Sequence, residues 1–413
     1  MSGRLHRLAN GLTVAIDPIA GAQSTAVGLY AGVGSRSEPD GKSGLAHLVE
    51  HMVFKGAGSR GARAIAEAIE DVGGSLNAWT ARDQTAFHAR ALPDDLKLAV
   101  ELIADLVRAP KFDADELERE KGVVLSELGE CHDTPDDLIG DLLFETAFAG
   151  QPIGRSVLGN AASVKAVTRD DLAGWIAREY APSRLIIAAS GKVDETALLA
   201  LAEALFGDMG EHDFTAPAPA KFTGGQHDDR RSFEQAHWSF ALPGLPAADP
   251  GTPALSIFIQ SVGGGMSSRL FQELREDRGL AYSIYAWGQG FADAGLFAVG
   301  CASDRDKAGE TLKLAREIVA QAAEDLSEGE IRRARAQLEA GLLMALETPQ
   351  GRADHLARSI EVFGRIVPIQ ETLAQLRAVD IAAARTAGAA LHTGPVAVAS
   401  VGAAKALAGL VAA

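Results

Sequence analysis

Gly41-Lys42-Ser43-Gly44-Leu45-Ala46-His47-Leu48-Val49-Glu50-His51-Met52-Val53-Phe54-Lys55-Gly56 is the stretch on which the reading of this chain turns. Its glycines bound a predicted helix. At 3.6 residues per turn, His47, Glu50 and His51 share one face, so two imidazoles and a carboxylate point the same way. Leu48, Val49 and Met52 are left to pack on the other side. Two imidazoles one turn apart can share a tetrahedral zinc ion.

A third protein ligand then has to come from elsewhere. In Glu116-Leu117-Glu118-Arg119-Glu120-Lys121-Gly122-Val123-Val124-Leu125-Ser126-Glu127-Leu128, helical periodicity makes Leu117, Val124, Leu128 and Cys131 an apolar stripe. Glu120 and Glu127 are two turns apart, within about 20° of each other at the edge of that stripe. Carboxylates aimed toward a core are costly unless paired or bound to a cation. Glu118 and Glu130 point outward. Glu127 is therefore assigned to the metal, and Glu120 to orienting a ligand histidine. His88 and His132 have no partner pattern.

Around these two helices the first half opens with strand-like Leu12–Ile19 and Thr25–Gly34. A helix follows over 62–74, then strands at Ser75–Ala81 and Gln84–Leu92 joined by an Arg82–Asp83 turn, and a helix over 92–107. The half closes with helix 168–180, apolar strand 184–193 and helix 195–207. Two Ala-Pro steps and a Gly pair near 207–229 break all periodicity and mark a connector. The domains expected are 1–210, catalytic and metal-binding, and 229–413, with 211–228 as linker.

The second half repeats the order: strand 236–242, segment 253–265, helix 267–277, strands 281–288 and 295–303, then helices 306–324 and 328–351. Thr134–Pro135 after the glutamate-bearing helix recurs as Thr348–Pro349, roughly 210 residues on. Strands followed by runs of helices within each half imply two homologous α+β domains, each an antiparallel-rich sheet with helices on one face.

With 413 residues, 47% hydrophobic and 23% charged, the chain has the balance of a globular protein with two domains. A net charge of −16 without basic runs argues against nucleic acid and anionic membranes as partners. No apolar run is long enough to span a bilayer, and the first residues lack a secretory pattern. Cys131 and Cys301 are the only cysteines and stand far apart, which suits a reducing compartment. A cytoplasmic location is expected.

With these residues in view, the chain resembles the inverted zinc metallopeptidases of the pitrilysin–insulinase family (M16), in particular the short bacterial, mitochondrial-processing-peptidase-like branch (M16B). Its HxxEH order reverses the commoner HExxH. The family's third ligand is a downstream glutamate in a stretch ending VxxE, and Glu127 closes Val124-Leu125-Ser126-Glu127, 76 residues after His51. Gly73–Thr80 is similar to the family's edge strand, which implies substrate binding along Asn77, Ala78 and Trp79. Gln151–Gly154 with Val157–Gly159 fits a stretch usually reading HPLG…LG, with Gln151 in place of the histidine. Arg275 and Tyr282 resemble the family's arginine–tyrosine pair.

The resemblance implies a zinc metalloendopeptidase with the ion on His47, His51 and Glu127, Glu50 as general base, and Arg275 and Tyr282 on the substrate carbonyl. It further implies a clamshell of four such domains, of which this chain is half. A homodimer would complete it, with Arg275 and Tyr282 acting in trans on short or unfolded peptides. Competing readings are a catalytic subunit of a heterodimeric processing peptidase and a non-catalytic structural subunit. The intact metal set and base favour an enzyme.

Overall fold

Thr13–Pro18 and Thr25–Ala31 alternate β-branched, small and aromatic residues, and nearly every one of them is buried. A strand buried on both faces needs cover on both, and the architecture supplies it. The computed structural model describes residues 3–214, 216–405 and 407, so residues 1–2, Thr215 of the connector, and residues 406 and 408–413 lie outside it. In chain order the strands are β1 (Arg4–Arg7), β2 (Thr13–Pro18), β3 (Thr25–Ala31), β4 (Gly56–Ala57), β5 (Arg60–Gly61), β6 (Ser75–Thr80), β7 (Thr85–Ala91), β8 (Leu185–Gly191), β9 (Gly225–Asp229), β10 (Ala236–Pro243), β11 (Ala281–Gly290), β12 (Gly295–Ser303) and β13 (Ala397–Val401). The helices are α1 (Leu45–Val53), α2 (Ala62–Glu70), α3 (Leu96–Arg108), α4 (Ala114–Asp133), α5 (Pro135–Ala147), α6 (Ala161–Ala166), α7 (Arg169–Glu179), α8 (Glu195–Phe206), α9 (Thr252–Gly263), α10 (Ala308–Asp325), α11 (Glu328–Ala345), α12 (Pro349–Phe363), α13 (Ile369–Ala378) and α14 (Ile381–Leu391).

Two α+β units emerge, and neither is continuous in sequence. The first comprises residues up to Leu128, Ser156–Pro217 and Leu343–Ile369; the second comprises Gly129–Arg155, Ala218–Leu342 and the residues from Gln370 onward. The first sheet runs β1-β2-β8-β3-β7-β6, antiparallel except between β2 and β8. On one face Val14, Ile16, Val27, Leu29 and Phe87 pack with α1, α3, α7 and α8. On the other, Ala15, Tyr30, Ile186 and Ala188 receive Ala353, Leu356 and Ile360 of α12.

The second sheet runs β11-β12-β10-β13-β9, parallel only between β13 and β9. Trp238, Phe240 and Phe297 pack with α9, α10 and α14 on one side. Ala241, Ala298, Ala397 and Ala399 meet Leu138, Leu142 and Phe144 of α5 on the other. Each sheet thus carries helices of its own half on one face, while the second face is closed by a helix from the opposite half of the sequence. Both exchanged helices, α5 and α12, begin at the repeated Thr-Pro step.

Local differences from expectation have local causes. The helix expected over 328–351 ends at Ala345, because Thr348 caps a new helix by accepting from the Gly351 N–H at 3.0 Å. The apolar segment 253–265 forms α9, with Pro253 in its first turn. The helix expected over 267–277 carries a π-helical turn, Phe271–Asp277.

Candidate metal centre and active site

The helix α1 is held at its start by Glu38, a buried carboxylate that accepts from the backbone N–H groups of Gly44 (3.0 Å) and Ala46 (2.8 Å). This satisfies donors that an α-helix leaves unpaired and sets an anion at the positive end of the helix dipole. Gly44 enters the helix at φ 89°, and a Cβ there would lie 2.6 Å from the carbonyl oxygen of Leu158. Val157–Gly159 therefore buttresses the entry to the motif helix. Leu45, Ala46, Leu48, Val49, Met52 and Val53 are buried, leaving His47, Glu50 and His51 on the remaining face.

The chain leaving α1 is stitched to the chain entering α4. Lys111 N–H donates to Gly56 (2.9 Å) and Gly58 N–H to Ala109 (2.8 Å), with Ala57 bridged to Pro110. On α4, buried Leu117, Val124 and Leu128 fix the rotation of the helix. Glu127 consequently faces the histidines: its Oε2 is 3.7 Å from His51 Nε2 and 4.0 Å from His47 Nε2. One ligand atom from each of the three residues lies within 4.8 Å of the others. Four-coordinate zinc with bonds of about 2.0–2.1 Å separates its ligand atoms by about 3.3 Å, so a small contraction closes the set. Glu127 Oε2 is buried without a hydrogen-bond partner, as an atom awaiting a cation would be. The donor set fits the ion.

Burial, and then the neighbouring His51, push the His47 imidazole down to about 4, so it is neutral and able to ligate at pH 7. Glu120, only 5% exposed, lies 3.1 Å through Oε2 from His51 Nδ1. Its Oε1 lies 2.8 Å from Lys55 Nζ. Glu50 does not belong to the group of His47, His51 and Glu127. Its Oε2 accepts a 2.6 Å hydrogen bond from Thr80 Oγ1. Burial raises the Glu50 carboxyl above the ordinary range, while the Thr80 bond and His51 act downward and Glu127 acts upward. A carboxylate poised this way, beside the ligand set, is suited to carrying a proton.

Asn77, Ala78 and Trp79 lie on β6, the last strand of its sheet. Among the described residues nothing pairs with its outer side. Asn77 Oδ1 accepts from the Ala78 N–H at 2.9 Å, and Trp79 is partly exposed. Arg275 and Tyr282 belong to the second unit. There the Arg275 guanidinium lies 4.8 Å from the Phe271 ring centre and 5.9 Å from that of Tyr282, a residue 71% exposed. Lys55, Thr80 and Glu38 escaped the sequence reading. Lys55 was in principle visible as the residue one turn beyond His51; Thr80 and Glu38 meet α1 only through tertiary packing.

Comparison with known proteins gives the family. Residues 13–161 match the family described as insulinase (peptidase family M16), and residues 166–338 match the peptidase M16 inactive domain. A Mycobacterium tuberculosis protein named uncharacterized zinc protease is 37% identical over 92% of this chain and 89% of its own length. A Streptomyces coelicolor protein of the same description is 34% identical over 91% and 84%. An Arabidopsis thaliana protein named probable mitochondrial-processing peptidase subunit beta is 33% identical over 97% and 78%. The chain belongs to the insulinase peptidase family, M16. Its fold matches the crystal structures of a peptidase M16 inactive domain from Pseudomonas fluorescens (TM-score 0.90, 22% identity, 98% of this chain and 99% of that one) and of a protease from Helicobacter pylori (TM-score 0.90, 20% identity, 97% and 99%).

Proposed function

We propose that this chain is a zinc metalloendopeptidase acting on short or unfolded peptides. The observation that carries the reading is the convergence of His47 Nε2, His51 Nε2 and the unpartnered Glu127 Oε2 beside Glu50. His47, His51 and Glu127 would hold the ion, and Glu120 would orient His51 through Nδ1. When bound, zinc supplies Lewis acidity and makes a neighbouring water nucleophilic at neutral pH. Glu50 accepts a proton from the attacking water and returns it to the leaving amine nitrogen. An extended peptide adds to the outer side of β6, where main-chain hydrogen bonds tolerate varied sequences. For the Ala78 N–H to join them, the Asn77 side chain must turn aside.

Arg275 and Tyr282 supply cationic and phenolic donors for the substrate carbonyl. In this reading they act from a second copy of the chain, in a homodimeric chamber that excludes folded proteins. Two free thiols, Cys131 and Cys301, suit a cytoplasmic setting. No helix among the described residues is long and apolar enough to cross a membrane.

Zinc content and cleavage of a mixed peptide library, with and without chelator, test the reading. The expectation is about one zinc per chain, lost in Glu127→Gln, and cleavage abolished by Glu50→Gln with zinc retained. Mixing Glu50→Gln chains with Tyr282→Phe chains tests the assembly: recovered activity supports action in trans, and none refutes it.

A further inference from the structure

We infer that Lys55 is a positioning residue for the metal centre: its ammonium clamps the Glu120 carboxylate that orients His51. The inference rests on the zinc-peptidase reading above and extends it to a residue outside the HxxEH motif.

Glu120 is divided between two partners from one stretch of chain. Oε2 meets His51 Nδ1 at 3.1 Å and Oε1 meets Lys55 Nζ at 2.8 Å. Its side chain is 7% exposed, whereas that of Lys55 is 32% exposed. A carboxylate this buried, with Leu117 and Val124 on the same helix face, is costly to leave half-paired. The nearest lysine in sequence, Lys121, is engaged elsewhere, 2.7 Å from Glu118 and 3.2 Å from the carbonyl oxygen of Lys165. Lys55 is therefore the cation that meets Glu120.

The lysine is also fixed at its root. Its N–H donates to the Met52 carbonyl at 3.1 Å, which ends α1, and the next residue, Gly56, accepts from Lys111 just before α4. Root and tip thus join the same two helices that bring the ligands together. A lysine pinned in this way loses little further freedom in holding Glu120, and Glu120 in turn holds the His51 ring with Nε2 toward Glu127. Since the ammonium touches neither His51 nor the ion, its effect should pass through the carboxylate.

A double-mutant cycle on the full chain tests this, using zinc affinity from competition with a chromophoric chelator and thermal unfolding of the zinc-free proteins. Lys55→Met should weaken zinc binding about 10- to 100-fold, the range typical of groups that orient metal ligands. In a Glu120→Gln background the same change should add less than about three-fold. Lys55→Arg, which keeps a cationic donor, should recover most of the affinity. If Lys55→Met does not fold, Lys55→Gln enters the same cycle. Wild-type zinc affinity in the Lys55 variant, or an equal loss in both backgrounds, overturns the inference while leaving the zinc reading intact. A wild-type chain that binds no zinc overturns both.

Discussion

Replacing Thr80 by valine removes one hydroxyl and conserves shape, so it isolates the bond to Glu50. In the structure Thr80 Oγ1 donates to Glu50 Oε2 at 2.6 Å, a short bond to a half-buried acid. Hydrogen bonds to charged groups are worth about 1.5–3 kcal/mol, and the bond favours the ionised form of Glu50. Burial already raises that carboxyl, and the Thr80 bond is the largest influence opposing it. Since about 1.36 kcal/mol is a factor of ten in proton affinity, Thr80→Val should make Glu50 hold its proton about ten-fold or more tightly. A base that must be ionised to act then fails at a higher pH. Compared with wild type, kcat/KM should fall about ten-fold or more on the acid side and within about three-fold on the alkaline plateau. The assay is cleavage of a quenched fluorescent peptide from about pH 5 to about pH 9, with zinc content measured at each point and Thr80→Ser as the control that keeps the hydroxyl. An acid limb for Thr80→Val that overlays wild type refutes the reasoning.

Three further outcomes follow from the same structure. The zinc-free protein should lose stability as pH falls from about 6.5 through about 4, because the unfolded chain protonates His47 at the higher value and the folded chain only at the lower; the loss, up to about 3 kcal/mol, should be absent from urea titrations of His47→Gln. Glu330 has the same sign in a more acid window: burial pushes its carboxyl up, but hydrogen bonds from Arg269 and Ser327 outweigh this and hold it at about 2, so about 1–2 kcal/mol of stability present above about pH 4.5 should vanish as pH falls through about 2, and Glu330→Gln should flatten that part of the denaturation profile. Gly44→Ala must adopt φ 89° with a Cβ against the Leu158 carbonyl; a loss of about 3 kcal/mol or more, read as a lower unfolding midpoint together with weaker zinc binding, is expected.

The residues that meet at the candidate centre were legible because helical periodicity is a local property. His47, Glu50 and His51 share a face wherever α1 goes, and a stripe of Leu117, Val124 and Leu128 leaves Glu120 and Glu127 at its border whatever packs on it. Strands with buried alternation, such as Thr25–Ala31, were equally readable. Polar edge strands were not: Arg4–Arg7 and Gly225–Asp229 bury little and owe their pairing to β2 and β13. Lys55 and Thr80 look like surface residues until α4 and β6 arrive beside α1.

The exchanged helices mark where such reading ends, and they have a consequence for stability. An apolar stripe says that α5 or α12 must bury a face, not which sheet receives it. In the structure Leu138, Leu142 and Phe144 close the second sheet, and Ala353, Leu356 and Ile360 close the first. The first sheet's outer face is made for this cover. Gly28 leaves room for the Tyr30 ring, since a Cβ there would come within 2.7 Å of it, and Tyr30 Oη donates to Asp354 of α12 at 2.5 Å. Cutting the chain at the connector would therefore strip α12 from the unit that carries the candidate metal centre and leave Ala15, Tyr30, Ile186 and Ala188 facing water. The outer side of a sheet whose inner side supports α1 would be uncovered, so the unit that carries the candidate metal centre requires a segment from the second half of the sequence.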